Sequence, residues 1–263
     1  MKKYLPIARG TYMIGLVYRF GFVFTILGNI IYLGVAYYLW KSIYRYSGTI
    51  RGLTFNEAFL YVGLGSAIFV LLKTYADWII HYEIREGTIA VYLTKPIDFQ
   101  LYALSANFGS LLMGLTAVSI PTALILAFAF KVKVAFGIGI FLFPVSLLLA
   151  FLISFSIDYF VGVMGFYSES VWGLSITKEI IVTVFSGALI PLQFFPDNIQ
   201  NILFWLPFQA IYHTPIMMIT KANQGLDVFL PMLLIQVLWA VILFTFTRLF
   251  YNQAIKVLRI AGG

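Results

Sequence analysis

The chain has 263 residues, of which 62% are hydrophobic and only 10% charged, with a formal net charge of +7. A soluble domain carries about 25% charged residues and needs a polar coat, so this composition excludes a soluble fold and calls for an outer surface bathed in lipid. In that setting the positive charge reads as cytoplasmic loops and lipid headgroup contacts rather than nucleic-acid binding.

The apolar runs are long and do not alternate with polar residues. Barrel strands alternate and take about ten residues per crossing, so helices are expected instead. Cysteine is absent, which removes disulfides and thiolate metal sites. The two histidines, His81 and His213, are far apart in sequence and form no metal-binding tract. Residues 1–8 are followed by no small-residue cleavage site, so no signal peptide is expected.

Residues 1–20 read as an amphipathic segment. Lys2, Lys3, Arg9 and Arg19 are interspersed with Tyr4, Leu5, Ile7, Tyr12, Met13 and Val17. Such a segment suits the membrane interface, and a plain basic tail is the alternative. A first span is expected at about 21–40, free of charge, and a second at about 55–80, with Lys73 and Asp77 in its later half. A polar stretch follows to about residue 100. The third span, about 101–130, has Pro121 in its middle as a kink. The fourth, about 135–166, holds Pro144 and ends near Asp158. A polar piece, 167–179, precedes a short fifth run at 180–195 with Gly187 and Pro191. An irregular aromatic stretch leads to the last span, about 228–251.

Basic residues set the orientation. With the N-terminus inside, only Lys41, Arg45, Arg51, Lys131, Lys133 and Lys221 of the 17 lysines and arginines fall outside. Both termini are therefore expected in the cytoplasm. No internal repeat is evident, and residues 1–263 read as one membrane domain.

The chain contains no G-x-x-x-x-G-K-[ST], H-E-x-x-H or G-x-S-x-G sequence, so it is a poor candidate for an enzyme. A membrane-embedded enzyme would have to rely on His81 near Glu83, which a surface histidine explains as well. The informative inner piece is YEIREGTIAVYLTKPIDFQ, residues 82–100. Glu83, Arg85 and Glu86 fall within one turn, Gly87 breaks it, Thr88 follows, and 89–93 is an apolar helical patch ending at Leu93. Lys95-Pro96 then stops the helix. Two uses fit: lying on lipid, or filling a groove in a cytoplasmic partner.

The informative outer piece, 186–221, holds Pro191, Pro196, Pro207 and Pro215 among Phe194, Phe195, Phe204, Trp205, Phe208 and Tyr212. It is too apolar for a free loop and too interrupted for one span, so a pair of short re-entrant helices is expected. The aromatics there suit an interfacial belt or a gate. Lys73, Asp77 and Asp158 are the intramembrane charges. A Lys73–Asp77 or Lys73–Asp158 pair would satisfy them, either as a cytoplasmic gate or substrate vestibule, or as a structural pair with Lys73 snorkelling.

Two stretches, REGTIAVYLTKPID after the second span and SG-x-x-IPL-x-FFP…LPF…P after the fifth, resemble the membrane subunits of ABC exporters of the ABC-2 type. The resemblance implies an all-α fold of six transmembrane helices. It also implies a connecting helix at 1–20, a coupling helix at about 82–93 and re-entrant exit helices at about 192–217. On that pattern Glu83, Arg85, Glu86, Gly87, Thr88, Leu93, Lys95 and Pro96 would meet the ATPase. Phe194, Phe195, Pro196, Phe204 and Pro207 would form the outer gate. The expected partners are two copies of a separate ABC ATPase, which holds ATP and magnesium while this chain binds no cofactor, and a second permease, identical or homologous. Membrane lipids complete the set, in a prokaryotic cytoplasmic (inner) membrane. The implied cargo is amphipathic or hydrophobic: a drug, lipid, peptide or glycolipid. An ion-coupled carrier or channel independent of ATP is the competing reading, weakened by the absence of a ring of charge.

Overall fold

The structure, a computed structural model, describes residues 3–17 and 19–257. Lys2 and Arg259, both counted toward the inner side above, lie outside the described residues.

Helix α1 (Leu5–Val17) leads into the long α2 (Arg19–Ile43). A two-residue hairpin, β1 (Thr49–Ile50) and β2 (Leu53–Thr54), turns the chain through Arg51 and Gly52, both at positive φ. Thr54 and Glu57 then form a reciprocal capping box that starts α3 (Phe55–Leu72). α3 is the most buried of the long helices and runs up the middle of the bundle. It stops at Lys73, and a new helix, α4 (Ala76–Arg85), begins after Tyr75, which takes the left-handed conformation at φ +51°. The expected second span is therefore two helices with a break at residues 73–75.

A short α5 (Ile89–Leu93) precedes α6 (Phe99–Gly114), whose first turn is capped by Asp98 accepting from the Leu101 N–H at 2.9 Å. Residues 115–119 form a wide π-turn before α7 (Ile120–Phe128). Pro121 lacks the N–H and its ring would collide with the carbonyl four residues back. The π-turn absorbs both problems and makes the bend. α8 (Ile138–Val163) carries Pro144, and α9 (Trp172–Phe185) ends just before Gly187 at φ +80°. Two short helices follow, α10 (Asp197–Trp205) and α11 (His213–Thr220), and the chain closes with α12 (Leu226–Ala254).

Among the described residues, five stretches are long and apolar enough to cross a membrane: Phe20–Tyr46, Phe55–Arg85, Phe99–Phe128, Ile138–Phe166 and Leu226–Val257. The expected fifth run at 180–195 is not a helix of its own. The helix there is α9, which starts earlier and stops before Gly187. Its 14 residues reach about 21 Å, short of a 30 Å hydrocarbon core. The earlier start has a physical cause: Lys178 and Glu179, which make 167–179 look like a loop, are both ion-paired to other helices.

Buried side chains form three clusters along the bundle. One holds Leu33, Trp40, Phe59 and Leu126, the middle one Tyr61, Leu72, Phe151 and Ile216, and the last Ile80, Ile89, Phe99, Tyr159 and Tyr251. Several polar groups buried between helices are tied across them by hydrogen bonds. Asn29 of α2 donates to Thr122 of α7 at 2.8 Å, and Gln236 of α12 to the carbonyls of Ala210 and Ser146.

α1 is laid against α6. The Tyr4 hydroxyl accepts from the Asp98 N–H at 3.0 Å, and Tyr12 reaches Thr116. Between them Gly109 lies so close to Ala8 and Thr11 that a Cβ there would strike the Ala8 carbonyl. Leu5–Val17 of the expected amphipathic segment is thus packed on the bundle rather than hanging as a tail.

Candidate functional site

At the break in the second span, three helices and the break itself bring charges together. Lys178 of α9 sits 2.9 Å from Asp77 of α4 and 2.6 Å from Asp158 of α8. The second oxygen of Asp158 accepts from the Thr74 hydroxyl at 2.5 Å, and that of Asp77 from the Trp78 N–H at 3.0 Å. Both carboxylates are nearly inaccessible, with residue exposures of 2% and 7%. One ammonium thus balances two carboxylates away from water, which is tolerable only because the remaining lone pairs are satisfied.

Beside this triad Lys73 pairs with Glu179, 2.8 Å away, at the half-exposed mouth. The expected Lys73–Asp77 and Lys73–Asp158 pairs do not form. In an unbroken helix, residues four apart share a face. The chain reverses that relation here, because the left-handed turn at Tyr75 sends Lys73 toward α9 while Asp77 turns inward. Thr74, Lys178 and Glu179 were missed as site residues. Their signal in the sequence was weak: a Lys-Glu pair inside an otherwise apolar helix. The cleft above them has a cavity volume of about 70 Å³ and is also lined by Phe69, Tyr75, Val182 and Tyr212.

The segment after α4 makes a sharp hook. Gly87 takes φ +71°, a conformation side chains resist, and lets α5 fold back. Arg85, Glu86, Gly87 and Thr88 are all exposed, while Ile84 and Ile89 on either side are buried. Leu93, Lys95 and Pro96 are exposed too. Glu83 differs from the others. It turns back to accept from the Tyr92 hydroxyl at 3.0 Å, and Tyr92 in turn meets the Tyr102 hydroxyl at 3.1 Å. Burial and these two neighbours push the Tyr92 phenol well up. Glu83 therefore shapes the hook instead of projecting from it. No hydrogen bond joins it to His81 among the described residues; His81 faces Gly165.

The same end of the molecule gathers the start of α1 and the end of α12. Lys3 donates to the Pro96 carbonyl at 2.5 Å, and Arg248 pairs with Asp98. At the opposite end the hairpin clasps both short helices: Arg51 pairs with Asp197 at 3.0 Å, and Lys221 reaches Glu57 at 2.6 Å and the Gly52 carbonyl at 3.1 Å. The aromatics assigned to an outer gate pack against different helices. Phe194 packs edge-on against Trp40 of α2, whereas Phe204 packs against His213 of α11, itself bonded to Tyr61 at 2.9 Å. Pro196 stands at the N-terminus of α10, where Gln200 ties down the Phe195 carbonyl at 2.8 Å, and Pro207 lies in the turn before α11.

Long apolar helices around a charged cleft, with a polar hook at one end, mark a multi-pass membrane protein. The chain belongs to the ABC-2 family transporter proteins, whose family model matches residues 30–262, and it is a transmembrane permease of the ABC-2 type. No curated protein matches it.

Proposed function

We propose that this permease is the membrane subunit of an ATP-driven exporter, worked by a separate ATPase that grips residues 82–96 from the cytoplasm. The exposed hook carries the reading. Arg85–Thr88 offer charge and backbone to a partner, and the buried Ile84 and Ile89 root the hook in the bundle. The break at 73–75 frees α4 from α3, so α4 is a lever of about 15 Å. Its far end holds Asp77, and Asp77 holds Lys178. A push on the hook thereby reaches the cleft and α9. The ATPase can shift this equilibrium only through contacts that differ between its two states, and the hook is where such contacts fit.

The family's usual assembly supports two ATPase copies and a second permease, identical or homologous, in a prokaryotic cytoplasmic membrane with both termini inside. The cargo is amphipathic or hydrophobic. Co-purification with an ATPase encoded beside this chain, and ATP-dependent transport in reconstituted vesicles, test the reading. Glu86→Lys should abolish transport while the protein remains folded. Wild-type transport by that variant rejects the proposed coupling.

A further inference from the structure

Lys73 occupies a cage. Its ammonium lies 5.4 Å from the centre of the Phe69 ring, 5.2 Å from that of Tyr75, and 2.8 Å from a Glu179 oxygen. Two ring faces and a carboxylate at these distances are the chemistry that recognises an organic cation. The occupant is held loosely. The Lys73 side chain is 34% exposed and sits on a flexible stem that can swing to the headgroups.

The surroundings favour the same charge. Among the described residues, Asp77, Asp158 and Glu179 pair only with Lys73 and Lys178 across the cleft. The site is thus net negative even when Lys73 is in place, and more so when it leaves. Away from the charges the walls turn apolar. Phe69 and Thr183 also line a second cavity of about 330 Å³, together with Gly65, Val70, Ala188 and Leu189. The two cavities therefore share a wall at Phe69 of α3 and Thr183 of α9.

We propose that the cleft binds an amphipathic organic cation, with its charged head in the Phe69–Tyr75–Glu179 cage and its apolar body along α3 and α9, and that Lys73 is a built-in stand-in which the cargo displaces. This rests on the export reading for its meaning as cargo recognition, while the binding itself needs no ATPase.

Tetraphenylphosphonium and tetraphenylborate share shape and hydrophobicity and differ in the sign of charge, so the purified full chain in detergent can be titrated with each. The phosphonium should bind saturably and the borate should not. Lys73→Gln removes the internal competitor and should tighten phosphonium binding about fivefold. Glu179→Gln should weaken it about tenfold. A gain of affinity in Lys73→Gln cannot come from misfolding, so that variant decides. Equal binding of the borate, or unchanged or weaker phosphonium binding in Lys73→Gln, overturns the proposal. Failure here with ATPase coupling intact leaves the export reading standing; binding without coupling does the reverse.

Discussion

Lys178 and Asp158 lie 2.6 Å apart, joining α9 to α8 in a part of the molecule that water scarcely reaches. Since Lys178 also holds Asp77, one side chain ties three helices together. Lys178→Ala leaves two buried carboxylates without a counter-charge and should cost about 3–5 kcal/mol. Thermal unfolding of the purified variant in detergent measures this. A loss no larger than that of a surface lysine would mean the triad is not a fastening.

The Lys73–Glu179 pair is half exposed and should contribute much less. Reversing either charge alone should lower stability by about 1 kcal/mol or less, and Lys73→Glu combined with Glu179→Lys should recover most of the loss. If the double reversal is no better than the worse single one, the two side chains are not partners.

Gly109 sets how closely α1 approaches α6. Gly109→Leu should push the Ala8 backbone away at a cost of about 1–3 kcal/mol and loosen α1. Faster tryptic cleavage after Arg9 reports that loosening, and an unchanged cleavage rate would place the contact in doubt.

Asp98 links the acid sensitivity of the fold to α6 and α12. Burial raises its carboxyl, but hydrogen bonds from Arg248 and the Leu101 N–H outweigh burial and hold it below the ordinary 3.8. A carboxylate with a lowered folded value contributes stability above its unfolded value and loses it as pH falls through the folded one. Unfolding temperatures between about pH 7 and pH 3 should therefore drop more steeply for the native chain than for Asp98→Asn, which keeps a capping side chain without the charge. Parallel curves would contradict the assignment.

Much of this architecture can be read from local residue patterns. The turn at Gly87, the cap at Thr54 and the bend near Pro121 each have a signal within a few residues, because each solves a local backbone problem. The break after Lys73 has no such signal, since neither glycine nor proline stands at residues 73–75. It is held by distant partners: Thr74 by Asp158, and Lys73 by Glu179. The start of α9 escapes a local reading for the same reason. Its Lys178 looks like a loop residue until Asp77, 101 positions away, neutralises it. The resemblance to the ABC-2 family is legible because it rests on two short stretches of sequence.

The coupling of the hook to a separate engine is tested most directly by cross-linking. The chain has no cysteine, so Glu86→Cys gives a single reactive thiol on the exposed turn. A short bifunctional reagent applied to inside-out vesicles should join this position to the cognate ATPase, with the yield changing when ATP is bound. A thiol labelled only by impermeant reagent from the cell exterior, or transport that proceeds without nucleotide, would contradict it.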